Sequence, residues 1–348
     1  MIIPSARKSE PDSRTGKGEG MDKKTVSRIL SAVPDGQIGI LGDFCTDVYW
    51  EIHPELGERS IETGLPTTPV TAARYSPGGA GNIAANLRGL GMKNICCFGA
   101  LGTDPFGIWL RRQLVSGPET DFLLAVERTD YHTPVYCKPL LNGTEQSRLD
   151  LGSVPLTRQE SDRLLDSLRK NLSRLKVLIL NQQLKNGIHS DHFRREFADL
   201  VRQSGTGLRF VYDGRDHLDA YPGVTLKINA QAASMLAFGQ PGKPVRESGK
   251  AILEKTGKEL VITNGEHGCC VFESTGITEI PAIPYSGPVD TVGAGDSFTA
   301  GFAWALAVGA SLREAAGFGS LCSAVTIRKI NQTGVPTPGE ILSVLEKE

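Results

Sequence analysis

Asp290-Thr291-Val292-Gly293-Ala294-Gly295-Asp296, followed by Ser297-Phe298-Thr299-Ala300-Gly301-Phe302-Ala303-Trp304-Ala305-Leu306, is the stretch around which the chain is organised. Gly293, Ala294 and Gly295 lack bulk, so backbone there can approach a ligand closely. Phe298, Phe302, Ala305 and Leu306 recur at helical spacing and the pattern stops at Gly309, which makes the stretch a loop that opens a helix. A helix N-terminus presents N–H groups and the positive end of a dipole, hence an anion site. Asp296 stands at the same place. Anion-binding amides beside a general base suit attack of a hydroxyl on a phosphoryl group. On this stretch alone, a plain Gly-rich turn with Asp296 as a first-turn helix acid is the simpler reading.

Outside it, bulk properties narrow the field. The 348 residues permit one large α/β domain or two ordinary ones. A net charge of −1 gives no electrostatic case for nucleic acid or an anionic membrane as partner. No apolar run approaches the roughly 20 residues of a membrane span. Residues 1–20 are polar, without the apolar segment of a secretory signal, and read as a disordered tail within an N-terminal extension over 1–35. The seven cysteines contain no Cys-x-x-Cys spacing and predict reduced, buried thiols in a cytoplasm.

Along the chain, residues 22–33 predict a short helix capped by Asp22, and 37–43 a buried strand ending in Gly42-Asp43. Strand ends at the carboxyl edge of a parallel sheet are where ligands bind, so Asp43 reads equally as a polyol acceptor or a turn cap. Residues 48–52 and 67–75 predict strands of a small β excursion. Pro77-Gly78-Gly79-Ala80-Gly81-Asn82-Ile83-Ala84-Ala85-Asn86 reads as a Gly-rich turn entering a helix that ends at Gly91. Gly78 and Gly79 admit a ligand against backbone; Asn82 both donates and accepts, and Asn86 lies one turn later on the same face. Helix packing is the plainer account of the same residues. Strands over 131–141 and 145–150 flank Asn142-Gly143, a hairpin signal, and complete a four-stranded lid with the excursion. Arg148 and Asp150, two apart, share one face and serve either a substrate or charge pairing. From 158 onward helices and strands alternate, with strands over 177–180, 209–212, 225–228 and 259–264, so the sheet is mainly parallel and covered on both faces. Asp43, Asp213, Asn229, Thr263 and Asp296 fall at strand ends on one edge, and that convergence favours a ligand site over five separate caps. P-loop and protein-kinase signatures are absent.

With these residues in place the chain resembles the ribokinase superfamily, the PfkB family of carbohydrate kinases. Gly78-Gly79-Ala80-Gly81-Asn82 and Asp290 to Asp296 carry the resemblance, supported by Asp213-Gly214-Arg215 and Thr263-Asn264-Gly265-Glu266-His267-Gly268 in the expected order. It implies a ribokinase-like three-layer α/β/α core with a mainly parallel sheet over 36–44, 76–131 and 151–348, and a β-sheet lid over 45–75 and 132–150. It implies ATP-dependent phosphorylation of a hydroxyl of a sugar or sugar phosphate, with Mg²⁺ and room for a monovalent cation. Asp296 becomes the base, and the backbone of Gly293, Ala294 and Gly295 the anion hole. Asp43, Gly78, Gly79, Asn82, Asn86, Arg148 and Asp150 fall to the substrate, and Lys227, Asn229, Thr263, Gly265 and Gly268 to the nucleotide. A homodimer through the lid is implied as well.

Gly42-Asp43, Asp47, Tyr49-Trp50, Asn82 to Asn86 and Arg148-Leu149-Asp150 look most like the kinase half of the heptose-phosphate (RfaE-like) kinases. The chain departs from that pattern at 64–70 and at Asn181-Gln182-Gln183, where the subgroup has an acid. Ala232 stands where the family's Asn-x-x-Glu block, associated with Mg²⁺ and phosphate, has its Glu. Two alternatives accompany this reading: a nucleoside kinase of the same superfamily, with Tyr49-Trp50 stacking on a base, and a non-catalytic sugar or nucleotide sensor.

Overall fold

The computed structural model describes residues 15–17, 21–32, 36–115, 121–152, 154–205, 207–330 and 332–346. In chain order its strands and helices are β1 (Thr15–Lys17), α1 (Lys23–Ser31), β2 (Gln37–Gly42), β3 (Phe44–Ile52), β4 (Val70–Gly79), α2 (Ala80–Gly89), β5 (Ile95–Gly102), α3 (Pro105–Leu114) and β6 (Asp121–Val126). There follow β7 (Val135–Leu141), β8 (Thr144–Glu145), β9 (Leu149–Leu151), α4 (Arg158–Asn171), β10 (Leu175–Gln182), α5 (Asp191–Gln203), β11 (Arg209–Gly214), β12 (Thr225–Asn229) and α6 (Ala230–Phe238). The last part comprises α7 (Val245–Thr256), β13 (Leu260–Thr263), β14 (Cys269–Glu273), β15 (Gly276–Ile280), α8 (Ala294–Ala307), α9 (Leu312–Thr326) and α10 (Pro338–Leu345).

Strand β10 shows why the sheet is covered on both sides. Its residues are apolar at both parities, so Val177 and Ile179 enter one core while Leu178 and Leu180 enter the other. The first core joins the sheet to α1, α2, α3, α8, α9 and α10; the second joins it to α4, α5, α6 and α7. The sheet order is β1-β15-β14-β13-β12-β11-β10-β2-β5-β6, parallel except at the two antiparallel pairings of β14. Phe298 and Phe302 of α8 stack at 6.1 Å and are buried. Burying such a side chain is worth about 1.5–3 kcal/mol, so α8 is anchored by its middle while its first turn faces the sheet edge.

The second sheet is continuous with the first. A single residue, Asp43, separates β2 from β3, and β4 runs into α2 without a loop, through Gly79 at φ 54°. A side chain there would meet the Asp43 carbonyl at 2.6 Å, which explains the glycine. Strand β3 pairs in parallel with β7 and antiparallel with β4, and β8 and β9 both pair with β7. Asn142 and Gly143 take φ of 52° and 77°, the left-handed pair of a two-residue hairpin. The lid has a small core of its own, in which Val48, Val135 and Cys137 pack with Trp50 and Phe106.

Several expectations hold and several are corrected. Asp22 caps α1, accepting from the Thr25 N–H at 2.9 Å. All seven cysteines are free, and six are buried. The lid has five strands rather than four, because the 145–150 segment divides into β8 and β9 around residues 146–148. The stretch read as a Gly-rich turn at 77–79 is the end of β4, held by antiparallel pairing to Phe44, Cys45 and Thr46. Of the tail read as disordered, Thr15–Lys17 form a strand parallel to β15; residues 1–14 and 18–20 lie outside the described residues. Among the described residues no helix is long and apolar enough to cross a membrane.

Candidate active site

The parallel strands β2, β10, β11, β12 and β13 end on one edge, and between that edge, the first turn of α8 and the lid lies a cavity of about 330 Å³. Gly293, Gly295 and Asp296 form one wall. Gly293 has φ 78°, and a Cβ there would meet Asn82 Nδ2 at 2.9 Å, so the turn closes on Asn82 only because glycine stands there. No side chain caps α8, which leaves its first turn as a dipole end facing the cavity.

Asp296 is the centre of the wall. Asn82 Nδ2 donates to its Oδ2 at 2.7 Å. Asn86 Nδ2 in turn donates to Asn82 Oδ1 at 3.1 Å and to Asn82 O at 2.8 Å, which fixes the Asn82 amide with its donor toward Asp296. Burial pushes the Asp296 carboxyl up to about 7; the Asp213 charge adds to this, while the Asn82 hydrogen bond and Lys227 oppose it. Lys227, only 5% exposed, bridges Asp213 Oδ1 and Gly295 O, each at 3.2 Å. Thr299 Oγ1 donates to the other oxygen of Asp213 at 2.6 Å. A carboxyl that titrates near neutrality beside oriented N–H groups and an ammonium can accept a proton from a hydroxyl while negative charge develops next to it.

The lid supplies the roof. Tyr136 and Lys138 are two apart on β7 and line the cavity, while Val135 and Cys137 turn to the lid core. Asp47 on β3 lines it as well and pairs with Lys138 at 3.2 Å. Burial lowers the Lys138 ammonium, but Asp47 and the Tyr49 hydroxyl outweigh burial and hold it above its ordinary value. Arg148 reaches the same roof, its guanidinium 4.3 Å from the Tyr136 ring and paired with Asp150 at 2.6 Å.

Of the residues expected from sequence, Gly79, Arg148, Lys227, Asn229, Thr263, Gly293, Gly295 and Asp296 line the cavity. Asn82 and Asn86 stand behind Asp296. Gly78 packs against Cys45 and Asp47, and Ala294 opens α8 with its carbonyl accepting from Ser323. Gly265 and Gly268, at φ 56° and 86°, shape the turn after β13, and neither lines the cavity. Asp150 acts through Arg148.

Asp43 departs from its expected place. It is 2% exposed, its Oδ2 accepts from the N–H groups of Gln183 and Leu184 at 2.9 Å, its Oδ1 accepts from Ile188 N–H at 3.0 Å, and it does not line the cavity. It organises the 183–188 loop. The carboxylate on the cavity side is Asp47. Its signal was the two-residue alternation Cys45, Asp47 along β3, legible once β3 and β7 are known to pair. Arg215 and Gln183 line the cavity too, although sequence gave them no role. The Tyr49 ring is covered by Arg74 at 3.8 Å and Lys138 at 4.8 Å, Trp50 is partly buried and packs against the lid core, and neither ring lines the cavity.

The donor set bears on metal. Asn229 Oδ1 is occupied by the Ala232 N–H at 2.8 Å, and both Asp213 oxygens are engaged. Among the described residues no group of three or more His, Cys, Asp or Glu is arranged as a metal cage. These residues fit a magnesium ion carried chiefly by phosphate oxygens and water, the usual manner for that ion.

The family profile described as pfkB family carbohydrate kinase matches residues 56–338. The bifunctional protein HldE of Pelobacter propionicus is 27% identical over 336 residues, covering 93% of this chain and 66% of that protein. HldE of Rhodopseudomonas palustris is 27% identical over 324 residues, covering 90% of this chain and 64% of that protein. The chain thus spans about two thirds of the length of these curated relatives. Among solved structures, Arabidopsis thaliana ribokinase complexed with ribose and ATP matches with a TM-score of 0.68 at 21% identity, covering 89% of this chain and 99% of that one. Phosphofructokinase-2 from Escherichia coli in complex with potassium matches with a TM-score of 0.70 at 18% identity, covering 90% and 98%. The two likenesses establish a ribokinase-like fold.

Proposed function

The chain belongs to the pfkB family of carbohydrate kinases, and from that premise we propose that it transfers the terminal phosphoryl group of ATP to a hydroxyl of a sugar or sugar phosphate, with Asp296 as the base. The observation that carries this reading is Asp296 itself. Its carboxyl, pushed up to about 7, lies against Asn82 at 2.7 Å and opens onto the uncapped first turn of α8.

On this reading Asp296 takes the proton of the attacking hydroxyl. The N–H groups of residues 293–295 and the Lys227 ammonium stabilise charge on the phosphoryl group in flight. Asn229 and Thr263, at the ends of β12 and β13, take the nucleotide side, with Gly265 and Gly268 shaping the turn beyond. Gly79 and Asp47 take the sugar side, and Lys138 and Arg148 on the roof favour an anionic acceptor such as a sugar phosphate. A magnesium ion brought by the nucleotide would neutralise phosphate charge, with Asp213 among the carboxylates lining the cavity, and a monovalent cation belongs to the same proposed cofactor set. The lid excludes water when it closes over the sugar, which limits idle hydrolysis of ATP.

The outer face of the lid supports a homodimer. Val70, Tyr75, Leu149 and Leu151 are exposed on it, and a small sheet with an open apolar face favours pairing. Free thiols and dependence on ATP support a cytoplasmic setting. The test is release of ADP from ATP across a panel of sugars and sugar phosphates. Turnover with at least one of them supports the reading; ligand-induced melting shifts with no ADP at any member would favour a sensor instead.

A further inference from the structure

Two sequence blocks, Asn181-Gln182-Gln183 and Asp213-Gly214-Arg215, carry two residues with no part in the chemistry above, Gln182 and Arg215, and the fold joins them. Gln182 ends β10 directly opposite Gly214 on β11. It is fully buried. Its Oε1 accepts from both the Arg215 and Asp216 N–H groups at 2.9 Å, and its Nε2 donates to Leu184 O at 2.9 Å. The Leu184 N–H in turn donates to Asp43 at 2.9 Å. One amide therefore ties the turn that carries Arg215 to the loop that Asp43 organises. Only an amide does this, because a carboxylate of the same shape has no donor for Leu184 O.

The side chain so held is distinctive in charge. Lys138, Arg148, Arg215 and Lys227 are the cations lining the cavity. Lys138 is paired with Asp47 at 3.2 Å, Lys227 with Asp213 at 3.2 Å and Arg148 with Asp150 at 2.6 Å. Arg215 has no carboxylate partner among the described residues. It stands at the end of β11, between the nucleotide-side strands β12 and β13 and the sugar-side strand β2. An unpaired guanidinium at the wall of a cavity offers a planar fork of donors that matches phosphate oxygens.

We propose that Arg215 is a phosphate-contacting residue of this cavity and that Gln182 is the positioning residue that aims it. The inference rests on the kinase reading and deepens it. The phosphate belongs either to the nucleotide chain or to the acceptor, and the experiment separates the two.

Full-length wild type, Arg215→Gln, Gln182→Glu and the double variant are titrated calorimetrically with tripolyphosphate, with ribose 5-phosphate, and with ribose as the uncharged control, after their melting curves establish folding. Loss of a charge-assisted contact should weaken Arg215→Gln about tenfold to hundredfold toward a phosphate probe and leave ribose unchanged. A loss confined to tripolyphosphate assigns the contact to the nucleotide; one confined to ribose 5-phosphate assigns it to the acceptor. Gln182→Glu should weaken the same probe severalfold, and add no further loss on top of Arg215→Gln. A Gln182→Glu loss of equal size in both backgrounds would mark Gln182 as merely structural and overturn its positioning role. Unchanged binding in Arg215→Gln, or no wild-type binding of either phosphate probe, overturns the inference. The kinase reading fails separately, if wild type binds no ADP.

Discussion

Asn82 and Asp296, 214 residues apart in sequence, meet in a 2.7 Å hydrogen bond that joins the first turn of α2 to the first turn of α8. The bond favours the charged form of a carboxyl that burial and Asp213 push the other way, so the protonation of Asp296 depends on both helix starts.

The dependence of turnover on pH follows. Asp296 must be ionised to accept a proton, so kcat/KM should rise with pH through an acid limb near 7 and then level off. Initial rates between pH 5 and 9 measure the limb. A limb near the ordinary carboxylate value of 3.8 would contradict the assignment.

Stability should respond to the same group with opposite sign. The unfolded carboxyl titrates near 3.8 and the folded one near 7, so between these values the native state holds a proton that the unfolded chain has lost. The Asp296 contribution to stability therefore declines as pH rises across that window. Melting temperatures of wild type and Asp296→Asn, compared at pH 4 to 8, should show the variant gaining relative stability up to about 7 and no further change above.

Removing the Asn82 amide should move the acid limb upward. Asn82→Ala deletes the hydrogen bond that stabilises the Asp296 charge. A bond to a charged group is worth about 1.5–3 kcal/mol, or roughly one to two pH units of displacement. The pH–rate profile of the variant reads this directly, and a limb that stays in place would show that Asn82 does not tune Asp296.

Asp43 should behave as a structural residue. Asp43→Ala leaves the Gln183, Leu184 and Ile188 N–H groups without their acceptor. Each lost partner costs about 1–3 kcal/mol of desolvation, so urea unfolding should show a loss of several kcal/mol, with any rise in KM for the acceptor secondary to it. A variant of native stability with a large rise in KM would restore the sugar-contact role expected from sequence.

What the sequence made legible divides along local lines. The helix opened by Gly293 to Asp296, the spacing of Asn82 and Asn86 on one face, the Asp22 cap and the Asn142-Gly143 hairpin are short-range patterns, and the fold keeps them. That Asp47 lines the cavity was not legible, because which carboxylate turns toward it is decided by the pairing of β3 with β7, whose partner residues Asp47 and Tyr136 lie far apart in sequence. Helix α6, with the sequence AQAASMLAF, was not foreseen because its apolar residues mark no single face. Gln182 and Arg215 escaped for a similar reason: their bond crosses two strand ends and leaves no periodic trace.

The most direct measurement is phosphoryl transfer by Asp296→Asn, scored as ADP formed with the best acceptor from the sugar panel, alongside calorimetric binding of ADP. Loss of the general base should lower kcat by about 10²–10⁴ while ADP binds as tightly as to wild type. Wild-type turnover by the folded variant would contradict the account.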